Sequence, residues 1–262
     1  MSFPSSIYGP DSERFNTYTA QRWPLGTILM LQDGRQYRFG RNGGVAAVAG
    51  RMYQSEVPDS DHDTLAVPSS TTNAVGSRSL VITNGADVVE RNLYKEGYAV
   101  TEAAAGAGEG RAYKIDVAHD ELAASVDITI PLAAGSGLQV ALNTSDKVTL
   151  VKHPMADVVI ATAPPTAAVI GIAASPHAIA GFGWFQIRGP CACFVVGTHV
   201  IGGSVSPVGT VTGTPPGSLE ATGVIITTAD PTVAQYTEIV NVGICMEVAP
   251  TGDYGMVLLH MA

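Results

Sequence analysis

Charge is scarce in this chain. Asp, Glu, Lys and Arg make up 14% of its 262 residues, against about 25% in an ordinary soluble domain. So few charges imply that much of the surface is buried, or is covered by another molecule. The charges present sum to −9 and the pI is near 5.0. That balance excludes nucleic acid as the main partner, because phosphate binding needs a cationic face. Cysteine is scarce too. Cys191, Cys193 and Cys245 are an odd number without framework spacing. A disulfide scaffold is therefore excluded, and buried free thiols of a reducing compartment are expected. Cys191 and Cys193 would share one side of a strand, but no second pair completes a metal site around them.

Helical periodicity of useful length is missing; at most one short helix fits, over Asp116–Ala124. Met1 is not followed by a charged stretch and an apolar core, so no signal peptide is predicted. The longest apolar run, Ala156–Ala174, contains Asp157, Pro164 and Pro165 and breaks into short β-branched pieces. It is not read as a membrane span.

What is abundant is strand pattern. Leu25–Leu31 reads as a strand, Asp33-Gly34 as the centre of a hairpin turn, and Gln36–Phe39 as the return strand. Further strands are predicted over Ser79–Thr83, Tyr98–Thr101, Ala112–Val117, Ser125–Pro131, Leu138–Leu142 and Lys147–Lys152. The last third adds Val158–Thr162, Ala168–Ala173, Gly183–Arg188, Cys191–Val196, Gly223–Thr228, Glu238–Glu247 and Tyr254–Met261. Ala103–Gly110 reads as a flexible connection. Many short strands at this spacing predict an all-β fold, an antiparallel β-sandwich or barrel-like body. The body is expected over residues 25–262, with a division into two β subdomains near 150–180. Residues 1–24 are read as an extended N-terminal arm. Pro4, Gly9, Pro10 and Pro24 interrupt regular structure there, while Tyr8, Phe15, Tyr18 and Trp23 offer anchors for a neighbouring subunit.

The few charges are unevenly placed. Arg22, Arg35, Arg38, Arg41 and Arg51 are opposed within their own segment only by Asp33. From Asp157 to Ala262 the sole Lys or Arg is Arg188, against six acids. The basic segment, Arg38 and Arg41 in particular, is expected to face an acidic partner surface.

Motifs for chemistry fail on spacing. Asp59, Asp61 and Asp63 alternate as at the start of a calcium loop, but Thr64 and Ser70 stand where Gly and a bidentate Glu are required. An exposed acidic loop is expected instead. Gly106-Ala107-Gly108-Glu109-Gly110 lacks dinucleotide spacing. No phosphate loop and no Ser nucleophile elbow occur. His119, beside Asp120 and Glu121, is the best acid–base candidate, yet adjacent strand residues point to opposite faces. No catalytic, cofactor-binding or metal-ligating residue is assigned, no cofactor is expected, and the chain is read as a non-enzyme.

Two stretches carry a family likeness. One is Leu25–Phe39, the hairpin just described. The other is Gly181-Phe182-Gly183-Trp184-Phe185-Gln186-Ile187-Arg188-Gly189-Pro190, followed by Gly197-Thr198 and Val242-Gly243-Ile244. Together they resemble structural proteins of tailed bacteriophages, in particular head decoration (cement) proteins. The resemblance implies a virion protein, assembled in the host cytoplasm, that clamps adjacent major capsid protein subunits on the capsid surface as a homotrimer. The alternative is a tail or fibre component that binds a receptor or glycan. Neither nucleic acid nor membrane is an expected partner. In Phe182–Arg188, alternation puts Phe185 and Ile187 on one face and Trp184 on the other. Trp184 is therefore expected under a second sheet or, preferably, at a subunit interface.

Overall fold

The computed structural model describes residues 5–69, 73–103, 110–115, 118–207, 215–222 and 241–261. The first strands are β1 (Ser6–Tyr8), β2 (Ile28–Met30), β3 (Gln36–Arg41) and β4 (Met52–Gln54). Next come β5 (Leu65–Ala66), β6 (Ser79–Thr83), β7 (Tyr98–Ala103), β8 (Arg111–Lys114), β9 (Asp127–Pro131) and β10 (Asp146–Val151). The last are β11 (Val159–Ile160), β12 (Val169–Ala173), β13 (Phe182–Val196), β14 (Ser204–Pro207), β15 (Leu219–Ala221), β16 (Gly243–Cys245) and β17 (Asp253–His260). Among the described residues, the only helical turns are short 3-10 pieces at Asp11–Phe15 and Ser60–His62. The fold is all-β, as the strand pattern predicts. The predicted strand Gly223–Thr228 and the first part of Glu238–Glu247 lie outside the described residues, as do Ala104–Glu109.

The chain forms two compact units, Met1–Glu56 with Pro154–Ala262, and Val57–His153. In the second unit the strands are ordered β8-β7-β10-β5-β6-β9. Strict alternation in β6 and β9 sends Leu80, Ile82, Ile128 and Ile130 inward, where they meet Val148, Leu150 and Tyr113. Past the end of β9, Ala133 N donates to the carbonyl of Lys114, the last residue of β8, at 2.8 Å, so the sheet curls round its own core. Leu138–Leu142, predicted as a strand, is irregular and held by an isolated bridge from Asn73 to Leu142.

The first unit is built on β13. The strand's first half pairs with β3 on one side and β12 on the other. Its second half pairs with β17 and, in parallel, with β15. Because β15-β14-β16-β17 is continuous, β13 closes a ring of five strands. Cys191, Cys193, Val195, Val205, Leu219, Cys245, Val257 and Leu259 fill this small barrel. All three cysteines are buried and free, and burial pushes the Cys193 thiol well up, with Cys191 adding to the effect.

Between the two halves the strand bends. Gly189 takes a φ of +88°, open to glycine at little cost, and the register with β3 shifts between Gln186 and Arg188. The buried Gln186 amide holds the bend. Its Nε2 donates to the carbonyls of Arg188, Gly189 and Pro190 at 3.1, 3.3 and 2.8 Å.

The extended arm is not found. Residues 5–24 lie on their own body. β1 pairs in parallel with β2, and Tyr18 forms a bridge with Phe182. The aromatic side chains explain the difference. Tyr18 and Trp23 close over a surface that β3 and β13 would otherwise leave apolar, packing edge-on and tilted against Phe39 and Trp184 with centroids 5.2 to 6.2 Å apart.

Candidate functional site

The aromatic residues expected at an interface divide into two groups. Tyr18, Trp23 and Trp184 belong to the core of the first unit. Trp184 is 0% exposed and rests on Phe39 at 5.1 Å and Trp23 at 5.2 Å. Its preferred placement at a subunit interface is therefore corrected. Its cover is neither a second sheet nor a neighbour but the chain's own N-terminal segment. Its Nε1 makes no hydrogen bond. Of these aromatics Tyr8 and Phe15 remain at the surface, 82% and 50% exposed.

The basic segment finds most of its partners inside the chain. Arg35 pairs with Asp33 at 2.6 Å and with Asp11. Arg41 reaches Asp157 at 3.1 Å. Arg51 lies 3.4 Å over the Phe194 ring and donates to Pro216 O and Ser218 Oγ. Arg22 sits over the rings of Tyr18 and Trp23. Arg38 is half-buried between β2 and β13, and its Nε has no partner. The opposite signs of the early and late segments thus meet partly within one molecule, Arg41 with Asp157.

His119 and the acidic loop make hydrogen bonds within the second unit. His119 Nδ1 lies 2.8 Å from Asp120 O, and its Nε2 accepts from Tyr94 N. Asp120 points away to Arg91 at 2.7 Å. Asp63 leaves the acidic loop to accept from Thr149 Oγ1 at 2.6 Å. Asp59 and Asp61 instead approach Asp87, their carboxylate oxygens all within 4.8 Å of one another. Asp59 also accepts from Asp61 N, and it lies 3.3 Å from the buried His62.

A different surface emerges on the outside of the barrel. In β17, Gly255, Val257 and Leu259 point inward, so Tyr254, Met256 and Leu258 point out. These three are 36–47% exposed. Register places Ile244 beside Leu258 on one flank, and Met246 N bonds Met256 O. On the other flank Pro190, Ala192 and Phe194 stand opposite Leu258, Met256 and Tyr254. Both faces of this strand are therefore apolar, although only one faces a core. Large contiguous apolar patches on a soluble protein mark contact sites.

The patch continues toward the N-terminal turn. A groove of about 470 Å³ is lined by Arg14 and Phe15, by Ala173 and Ala192, and by Tyr254 and Met256. Arg14 lies 3.8 Å over the Phe15 ring and pairs with Asp11 at 3.0 Å. The hydrogen bond from Arg14, with the charges of Arg14 and Arg35, holds the Asp11 carboxyl below its usual range. The groove is thus apolar along its length, with a neutralised ionic cluster at one end. Phe15 was legible in the sequence as an anchor. The β17 face was missed, although Tyr254-Gly255-Met256-Val257-Leu258-Leu259 carries the signal: an antiparallel strand without polar alternation has both faces to cover. Comparison with protein-family models, with characterised proteins and with solved structures finds no match.

Proposed function

We propose that this chain is a structural virion protein that binds the outer surface of a phage capsid and holds adjacent capsid subunits together. The observation that supports this reading best is the continuous apolar surface running from Phe15 through the groove to Tyr254, Met256 and Leu258. Such a face is useful to a protein whose work is contact. A modest interface repeated over a shell also gains from the high effective concentration of its neighbours. The low charge content fits a chain that keeps part of its surface for other subunits. The resemblance of Leu25–Phe39 and Gly181–Pro190 to head decoration proteins names the capsid as the assembly. The partners are then the major capsid protein and further copies of this chain.

The alternative is a tail or fibre component that binds a receptor or glycan. Antibody raised against the purified protein and imaged on virions by negative-stain microscopy separates the two. Even labelling over heads is expected. Labelling confined to the tail tip would favour the alternative, and unlabelled virions would overturn both.

A further inference from the structure

We infer that His177 is an acid-operated latch: its protonation lets the loops 43–49 and 175–180 part from each other while the barrel of the first unit stays closed. Both loops run over the surface and meet at a buried point. Of residues 44–49 only Ala47 is buried, and of residues 176–180 only His177. Their backbones bond each other in both directions, Ala47 N to His177 O at 2.9 Å and His177 N to Ala47 O at 3.3 Å. Around this bridge, Ala180 N donates to Gly43 O at 3.3 Å and Asn42 Nδ2 to Ala178 O at 3.2 Å. Val48 N donates to Tyr53 Oη at 2.8 Å. Val45, Val48 and Ile179 stay exposed, so the His177 ring is the largest side chain that either loop sends into the unit beneath.

The ring is tightly seated and has no polar company. Its Nε2 lies so close over Gly183 that a Cβ there would come within 2.1 Å of it, and Phe185 meets it edge-on with centroids 5.1 Å apart. Neither ring nitrogen has a partner. The charged and titratable groups on the surrounding elements supply no counter-charge. Arg41 pairs with Asp157 at 3.1 Å, Tyr53 holds Val48 N, and Arg38 of β3, opposite Phe185 in register, is itself a cation. A proton on His177 would therefore bury a charge and two unanswered N–H donors. Burial accordingly pushes its pKa down to about 4. The least disruptive route to water lifts the loop that carries the ring, because the rest of 176–180 is exposed already. Ala180, held at a φ of +55°, relaxes in the same movement. The other loop continues into Ala49 and Gly50, which wall the groove. There Tyr254 packs so closely that a Cβ on Gly50 would lie 2.5 Å from its ring, and its Oη donates to Ala49 O at 3.4 Å. Parting the loops slackens this wall. The latch is a property of the free chain; only its use, a loosening of contact in acid, rests on the capsid role proposed above.

The test is amide hydrogen exchange of the full purified chain, read residue by residue by NMR at pH 7 and pH 5.5 and corrected for the intrinsic pH dependence of exchange. The amides of Ala47, His177 and Ala180 should lose protection roughly eightfold between the two, the factor set by a proton taken up near 6.5 when the latch is open and near 4 when it is closed. Local opening exposes little surface, so their exchange should be nearly indifferent to dilute urea, whereas barrel amides of β13 and β17 exchange more slowly and respond to it. His177→Leu should remove the pH response of the three amides. Protection that does not change with pH would overturn the inference, as would a response that persists in His177→Leu. Loss of protection at Ala47 and His177 only in step with the barrel, with the same urea dependence, would also overturn it, because the whole unit would then be unfolding. These outcomes are independent of the capsid. A latch that opens as expected in a protein absent from virion heads leaves this inference standing and removes the capsid role.

Discussion

At the scale of single residues, the first unit keeps a few polar groups where little water reaches, and these set measurable behaviour. His177 is 2% exposed, and neither ring nitrogen has a hydrogen-bond partner. It lies edge-on to Phe185 at 5.1 Å, and a Cβ on Gly183 would collide with its ring. Burial pushes its pKa down from 6.5 to about 4. Above pH 6.5 the ring is neutral whether the chain is folded or not, and it adds no pH dependence. Between 6.5 and 4 the unfolded chain takes up a proton that the folded chain refuses, so stability falls with pH and the loss is complete below 4. The full shift corresponds to about 3 kcal/mol. Urea unfolding at pH 7 and pH 4.5 should reveal this loss, and His177→Leu should remove most of it. An unchanged difference between the two pH values would locate the sensitivity elsewhere. Gln186 offers a second test. Replacing it with Leu removes the donor shared by the carbonyls of Arg188, Gly189 and Pro190, and should cost about 1–3 kcal/mol in the same unfolding experiment. A variant as stable as the parent would show that the bend holds without that amide.

At the scale of elements, β13 organises the first unit, because one strand serves an open sheet and a closed ring. Trp184 sits in its first half and cements the N-terminal segment to β3 and β13. Trp184→Ala should therefore destabilise the fold by about 3–5 kcal/mol, measured by thermal or denaturant unfolding. Its effect on self-association should not exceed what unfolding explains. A stable variant with weakened pairing would return Trp184 to the interface. Strand identity was legible where alternation or a turn residue marked it. Ser79–Thr83 coincides with β6, and Asp33-Gly34 turns β2 into β3 with Gly34 at φ +85°. Gly183–Arg188 and Cys191–Val196 were read as two strands because Gly189-Pro190 looks like a break. The structure carries the chain through as one, since Gln186 satisfies the bend. β4, β14 and β15 were not legible. Met52–Gln54 and Leu219–Ala221 are three residues long, too short to set a period, and Ser204–Pro207 ends in a proline. The N-terminal aromatics were recognised as anchors, but a sequence does not say whose surface an anchor meets. Tyr18 and Trp23 found their own chain.

At the scale of the whole molecule, scarce charge and a strand apolar on both sides are one fact seen twice. Part of what the chain saves in polar surface appears as Tyr254, Met256 and Leu258 on the outside of a barrel whose inside is already full. The account's central claim is that this outer face is covered when the protein is at work. Its methionines provide a direct reading, because thioether sulfur oxidises readily when solvent reaches it. Brief hydroxyl-radical exposure, with oxidation at each residue quantified by mass spectrometry, should compare dilute free protein with the same protein on virions. Met246 and Met256 should oxidise quickly in the dilute protein and several-fold more slowly on the particle, while Met52 and Met155, buried in the fold, stay slow in both. Equal oxidation of Met246 and Met256 in the two samples would contradict the account, because the face would then be bare in the assembly it was proposed to build.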